Sequence, residues 1–344
     1  MPTQYENLTS DDVVTTRTVL HESIPLTGTI VSGTYADNNI KNYTHGQFQS
    51  VYDYPFLSSS SNHIFDLTVG YPATSGLSGS ASTQNSKKIN MYNQMAQVML
   101  GYNSASQGEI EKFESDLTLN NDKIMSEVFF VNFARLLTKD QIKKGTFSLT
   151  VGTGSWATPF SHTKVLTDAS SSATSGTGTS IGGDYGVLYS GSSPAGQGAC
   201  GLVFYQAGVA VVTASVWNGV SEFYSGSAFS YNPAQSFVTA SITGSCDALR
   251  HRVKNLTFNN TTEINSTIYF CRVPANKYNY STNPTYVSGG TCVVKNIASD
   301  QPVSYITTVG LYNANNELLA VAKLSEPLKK NPSNELTLRV RLDY

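Results

Sequence analysis

The side chains able to do chemistry are sparse, and their spacing argues against most of it. Five histidines stand at His21, His45, His63, His162 and His251. No two fall in HxH, HxxxH or HExxH spacing, which would bring imidazoles to one metal. A GxSxG match occurs at Gly178-Thr179-Ser180-Ile181-Gly182. A nucleophile elbow needs a buried strand before the serine and a helix after it. Here a Ser/Gly/Thr run precedes and Gly183-Asp184 follows, so a chance match in a low-complexity loop is expected. Gly152-Thr153-Gly154 and Gly176-Thr177-Gly178 open no helix, so they do not form a phosphate cradle. Glu109, Glu111, Glu114 and Asp116 cluster with Lys112 in one short polar segment. A solvated face is expected there, rather than a paired-carboxylate or EF-hand-type cation site. A glycosidase pair of opposed carboxylates is non-local and leaves no signature in a sequence. The residues singled out as a contact surface are Trp156, Trp217, Phe223, Tyr224 and Tyr231, to which Phe160 adds if the surface is a sugar groove. The competing expectation is that these aromatics fill the core of a sheet. No catalytic residue, metal ligand or cofactor is assigned, and the chain is expected not to be an enzyme.

Composition points toward contact rather than catalysis. Charged residues are 13% of the 344, about half the quarter usual in soluble proteins. Ser, Thr, Asn, Gly and Tyr fill the gap. Burying charge across a contact is costly, whereas Tyr supplies large area at little entropic cost, so such a surface suits an assembly. The net charge is -2, so the charge balance does not steer toward nucleic acid, whose binders more often carry a basic face. No run of eighteen apolar residues is present, so no membrane span is expected. The opening MPTQYENLTSDDVVTTR lacks the basic-plus-apolar pattern of a signal peptide, which implies a cytoplasmic place of synthesis. Cys200, Cys246, Cys271 and Cys292 fit no zinc spacing and are expected as reduced thiols. A Cys271–Cys292 cross-strand pair is the alternative.

The elements that would position these residues are mainly strands, with a small helical insertion. Val13–Leu20, Thr27–Tyr35 and Ile64–Val69 are β-rich, and Ser58–Ser61 is a loop. Lys87–Leu100 carries Ile89, Tyr92, Ala96 and Met99 at helical spacing, with Gly101 at the C-terminal cap. Met91, Met95 and Val98 make that helix apolar nearly all round, so it should touch neighbours on two sides. Asp122–Leu137 is expected as a second helix, with Asp122 as N-cap and Met125, Val128, Phe129, Phe133, Leu136 and Leu137 on one stripe. Thr138–Gln141 reads as a capping box ended by Gly145. Thr146–Val151 resumes a strand. Residues 166–198 are low in complexity and are expected as an extended surface loop or an arm ordered by a partner. Gly201–Val216 should be a buried hairpin turning near Gln206-Ala207-Gly208. From Phe237 onward only strands and turns are expected, including 256–258, 264–273, 286–287 and 292–294.

The last residues, PVSYITTVGLYNANNELLAVAKLSEPLKKNPSNELTLRVRLDY, read as a three-stranded meander. Its strands would be Val303–Leu311, Leu318–Leu324 and Leu336–Leu342, with Ser325–Glu335, including Lys329 and Lys330, as surface loop. Val309, Leu311, Leu319, Val321, Leu336, Leu338 and Val340 would form its core. A free edge on the last strand would need covering by another subunit. The whole is expected as an antiparallel, sandwich-like α+β chain in three parts. These are a β-rich lobe at 1–160 with helices near 87–100 and 122–137, a Gly/Ser-rich loop and apolar hairpin at 161–240, and an antiparallel β domain at 241–344.

The hairpin VGLYNANNELLAVAKL and the final RVRLDY resemble parts of structural proteins from large contractile-tailed phages, notably those of cyanobacterial and other aquatic hosts. So do QSVYDYPFLSSSSNHIFDLTVGY (49–71), EVFFVNFARLLTKDQIKKGTF (127–147) and YGVLYSGSSPAGQGACGLVFYQAGVAVVTASVW (185–217). Together these passages cover about a third of the chain. The resemblance implies a virion structural protein of tail or baseplate (wedge) type, assembled in the host cytoplasm. Its implied partners are other virion proteins and copies of itself. A neck or capsid-associated protein is the nearest alternative, and a receptor- or glycan-binding tail module is an alternative of another class.

Overall fold

The structure, a computed structural model, describes residues 5–26, 37–79, 81–103, 108–190, 198–226, 229–279, 287–288, 291–292, 299 and 301–344. Along the first half run β1 (Val13–Leu26), β2 (Ile40–Asn42), β3 (Gln49–Tyr52), β4 (His63–Gly70), α1 (Asn85–Met99), β5 (Val128–Phe133), α2 (Arg135–Thr138), β6 (Gln141–Ile142), β7 (Ser148–Gly152) and β8 (Thr163–Thr167). Then follow β9 (Thr177–Ser180), β10 (Gly183–Ser190), β11 (Ala199–Phe204), β12 (Val209–Thr213), β13 (Tyr224–Gly226), β14 (Phe229–Tyr231), α3 (Pro233–Thr239) and α4 (Ile242–Arg250). The chain closes with β15 (Val253–Val273), β16 (Val287–Ser288), β17 (Thr291–Cys292), β18 (Ser304–Tyr312), β19 (Leu318–Lys330) and β20 (Leu336–Asp343). The fold is mainly β, with large antiparallel sheets, few helices and a C-terminal β-meander. Two compact units form: a central one, Leu20–Thr262, and a terminal one, Met1–Val19 with Glu263–Tyr344. The chain passes from one to the other inside β1 and inside β15. Expected divisions at 160/161 and 240/241 both fall within the central unit.

In the central unit the strand order is β15-β7-β8-β10-β11-β12-β5-β4-β3-β2, antiparallel at every step from β7 to β2. One face of this sheet carries Phe65, Leu67, Val69, Phe129, Val131, Phe133, Val203, Ala210 and Val212 and packs with α4 residues Ile242, Cys246 and Leu249. The sheet curls, so that the Phe133 ring of β5 lies 5.3 Å from Phe258 of β15. The opposite face carries Val128, Phe130, Tyr185, Val187, Leu202, Phe204, Val209 and Val211. It is covered by Tyr92, Ala96 and Met99 of α1 together with Phe113 and Met125. Strands buried on both faces have no wet side, which is why GLVF and VAVVT read as continuous apolar runs. The expected Gly201–Val216 hairpin is present as β11 and β12, turning through Tyr205–Gly208, with Gly208 at φ +68°.

α1 forms where helical spacing placed it, and its fully buried stripe is Lys88, Tyr92, Ala96 and Met99. Gly101, at φ +84°, donates its N–H to the Ala96 carbonyl and ends the helix. Ile89 packs against one core cluster and Met95 against the other, while Val98 is open to solvent.

The second expected helix, Asp122–Leu137, is not formed. Val128–Phe133 is strand β5, and only Arg135–Thr138 is helical. Its apolar residues match a helical stripe, but Phe130 and Val131 between them are apolar too. A short β-branched and aromatic run covered on both sides cannot be told from a helix by period alone. The Thr138–Gln141 capping box is likewise replaced, because Gln141–Ile142 pairs with Asn260 and Thr261 of β15.

Residues 166–198 are not a single loop. β8 ends at Thr167, and β9 and β10 follow, β10 being a central strand of the sheet. Small residues serve close approach here. A Cβ at Gly186 would stand 2.1 Å from Tyr205 Oη and 2.2 Å from Ser171 Oγ. Residues 191–197 lie outside the described residues, as do Thr27–Tyr35 and most of 286–294. The expectation of strands alone after Phe237 is corrected by α3 and α4. Asn232 Oδ1 accepts the Gln235 N–H while Gln235 Oε1 accepts the Asn232 N–H, and Pro233 follows the cap. That N-P-x-Q signature was legible in the sequence.

In the terminal unit Ser266–Val273 of β15 pairs with Leu336–Asp343 of β20, and β18 pairs with β19. The third strand of the meander therefore takes β15 as its hydrogen-bonded neighbour. β19 runs to Lys330, through half of the expected surface loop. Lys330 is buried, its Nζ donating to Ala275 O, Asn279 Oδ1 and Asn331 O. Of the expected core, Val340 is buried, Val309, Leu311, Leu336 and Leu338 are half-buried, and Leu319 and Val321 are exposed.

Candidate interaction surface

The β18–β19 hairpin is long, yet no residue from Tyr305 to Lys329 is fully buried. Its turn is built locally. Asn313 Oδ1 accepts the N–H groups of Asn315 and Glu317, and Asn316 adopts φ +63°. One face presents Val309, Leu311, Ala320, Ala322 and Leu324 half-buried. The other presents Thr308, Gly310, Leu319, Val321 and Lys323 to solvent, with Gly310 opposite Val321 and Thr308 opposite Lys323. Leu319 is 69% exposed, Leu318 51% and Val321 50%. Tyr312 and Leu318 lean over Gly310, where a Cβ would lie 2.9 Å from Tyr312 Cε2 and 3.2 Å from Leu318 Cδ1. Tyr5 packs edge-on against Tyr312, ring centres 5.0 Å apart. A two-stranded ribbon is marginal in water unless a face is covered, which makes the face with Leu319 and Val321 the candidate surface.

The five aromatic residues expected at a contact surface are brought together in the central unit. Trp217 and Phe223 stand 5.2 Å apart, Trp156 and Tyr224 5.5 Å, and Tyr224 and Tyr231 6.3 Å. Trp217 and Phe223 have no accessible surface, so they form the floor of the group and not its contact face. Trp217 Nε1 donates to Gly152 O at 2.9 Å, and Phe129 packs on its ring. Trp156, Phe160, Tyr224 and Tyr231 remain half-buried. Beneath them Arg252 is fully buried and donates to the carbonyls of Phe223, Gly154 and Glu222, and burial pulls its pKa down to about 10.

The polar groups elsewhere mostly serve the fold. Ser180 of the GxSxG match donates to Met99 O at 2.7 Å and is the last residue of β9, paired with Gly183 of β10. His63 Nε2 and Ser50 Oγ both bond Asp66 Oδ1, at 2.8 and 2.5 Å. The carboxylate is thus in the middle, whereas a serine relay needs the imidazole there. The hydrogen bond to Asp66 raises the His63 pKa. Buried Asp168 accepts from Gly145 N, Phe147 N and Tyr205 Oη and holds the start of β7 against β11, and burial raises its pKa. Cys200, Cys246 and Cys271 are free thiols; the Cys292 side chain lies outside the described residues.

The acidic segment departs from a solvated face. Glu109 is exposed, but Glu111, whose N–H donates to Gly101 O, is buried, and so is Glu114, where the chain from Phe113 to Met125 folds back on itself. No helix among the described residues is long and apolar enough to cross a membrane. No family model, curated protein or solved structure matches the chain.

Proposed function

We propose that this chain is a non-enzymatic structural subunit of a contractile-tailed phage particle, placed in the tail or baseplate as a wedge-type component. The observation that carries the contact role is the β18–β19 hairpin, whose outer face leaves Leu319 and Val321 in water. Low charge and abundant Tyr over the chain support the same reading, since such surfaces lose little on being covered. The virion assignment rests on the resembling passages, and three of them, 49–71, 127–147 and 185–217, supply the strands β3, β4, β5, β10, β11 and β12 of the central sheet. The partners are other virion proteins and copies of the same chain.

Cross-linking mass spectrometry on intact particles tests this. Lys323 and Lys329, on the hairpin itself, should cross-link to neighbouring subunits in the tail fraction. Links to head or neck proteins would assign the neck or capsid-associated role instead. Absence of the chain from purified particles would sink both.

A further inference from the structure

Phe113 to Met125 makes a narrow excursion over the α1-covered face of the central sheet. Met125 N–H donates to Phe113 O at 2.8 Å, Ser115 N–H donates to Lys123 O at 2.9 Å, and Glu114 and Ile124 are bridged. Tyr92 Oη accepts the Phe113 N–H at 3.0 Å, and Tyr185 Oη donates to Leu117 O at 3.0 Å, which fixes the excursion to the core. This neck holds Asp116 and Asp122 at the two ends of one loop. One carboxylate oxygen from each of Glu114, Asp116 and Asp122 lies within 4.8 Å of the other two.

Glu114 sets this group apart from an ordinary acidic surface. Its side chain has no accessible surface. Oε1 accepts the Asn121 N–H and the Asn120 N–H also lies beside the carboxylate, while among the described residues no donor of good geometry meets Oε2. A buried carboxylate oxygen without a donor is costly, burial raises the Glu114 pKa, and either a proton or a counter-charge offsets the cost. Lys123 Nζ, 2.6 Å from Asp116 Oδ2, supplies one positive charge from an exposed side chain. Three carboxylates against that one ammonium leave an excess of negative charge in the group.

We propose that Glu114, Asp116 and Asp122 bind one hard divalent cation of the calcium class, with Glu114 Oε2 as its buried anchor. The donors are all oxygen, which excludes soft-metal preference. Calcium accepts irregular shells of six to eight oxygens, and the open side at Asp122 leaves room for water. Magnesium demands a near-ideal octahedron, which one buried and two peripheral carboxylates on a loop do not impose. The ion pins the 116–122 loop to the neck.

The test uses the full chain stripped with EDTA. Calcium is titrated by calorimetry, and terbium by luminescence sensitised through Tyr185. Expected are saturable binding at one site per chain, weakening of about tenfold or more in Asp122→Asn, and tighter binding in Lys123→Gln, which frees Asp116. Asp122 is exposed, so Asp122→Asn keeps the test valid if Glu114→Gln fails to fold. Absence of saturable calcium heat, or calcium and terbium binding by Asp122→Asn equal to the unsubstituted chain, overturns the proposal. Saturation by magnesium where calcium does not bind overturns the calcium class.

Discussion

Replacing Leu319 and Val321 together by serine removes two exposed apolar side chains from the β18–β19 outer face, leaving Tyr312 and Leu318, and leaves the hairpin register untouched. Full burial of a Leu or Val side chain is worth about 1.5–3 kcal/mol. Leu319 has 69% of its surface left to bury and Val321 50%. Covering them therefore yields about 1–2 and about 1 kcal/mol, or about 2–3 kcal/mol for each hairpin that enters a contact. That corresponds to a loss of about 30- to 150-fold in affinity for a contact using one such face, and to its square in a two-fold contact that uses it twice. Sedimentation velocity over a broad concentration range reads the effect, with the unsubstituted chain associating where the double variant stays monomeric. Thermal unfolding at low concentration is the control, and should move by less than about 0.5 kcal/mol because both side chains are exposed in the isolated chain. Equal association by both proteins would refute the assignment of this face, as would a monomeric unsubstituted chain with no cross-links on the hairpin in the particle.

Trp217→Ala removes a fully buried ring packed by Phe129 and Phe223, and should cost about 3–5 kcal/mol in chemical denaturation. Gly201→Ala places a Cβ 2.1 Å from the Val211 carbonyl oxygen, a backbone atom that cannot swing away, so a loss of about 1–3 kcal/mol is expected, while Gly76→Ala, in open space, should be near neutral. Burial lowers Lys88 from 10.5 to about 8, although its Nζ donates to Phe237 O and Ala240 O. The unfolded chain therefore binds this proton more tightly, so stability is fully present above pH 10.5 and is lost as pH falls through 8. Relative to Lys88→Met, the unsubstituted chain should gain stability as pH rises from 8 to 10.5, and equal slopes in denaturant titrations would contradict it.

Local pattern was enough wherever one side of an element was wet, or where a glycine or a side-chain-built turn marked its ends, as Gly208 does between the doubly buried β11 and β12. α1 with its Gly101 stop, the β11–β12 hairpin and the Asn313–Glu317 turn were all legible, and so was the β class of the C-terminal region. The N-P-x-Q cap of α3 was equally local and shows that helices after Phe237 could have been read. β5 was different. Its helical stripe was real in spacing, but both faces of the strand are covered, one by α1 and Phe113 and the other by α4 and the curled sheet, and double coverage erases the period of two.

The sequence by itself indicated a mainly antiparallel β protein with a helix where α1 forms, few charges and no local catalytic motif, and it also indicated a helix over 122–137 that does not form. Those properties follow from periodicity, turn chemistry and composition, which act over a few residues. Tertiary structure decided which side chains meet. It buried Trp217 and Phe223, put Lys330 among carbonyls, gave β20 to β15, left Leu319 and Val321 in water, and brought carboxylate oxygens of Glu114, Asp116 and Asp122 within 4.8 Å of one another. Coverage and convergence depend on strands distant in sequence, and the alternation of a strand states that it has two faces without stating what lies against either.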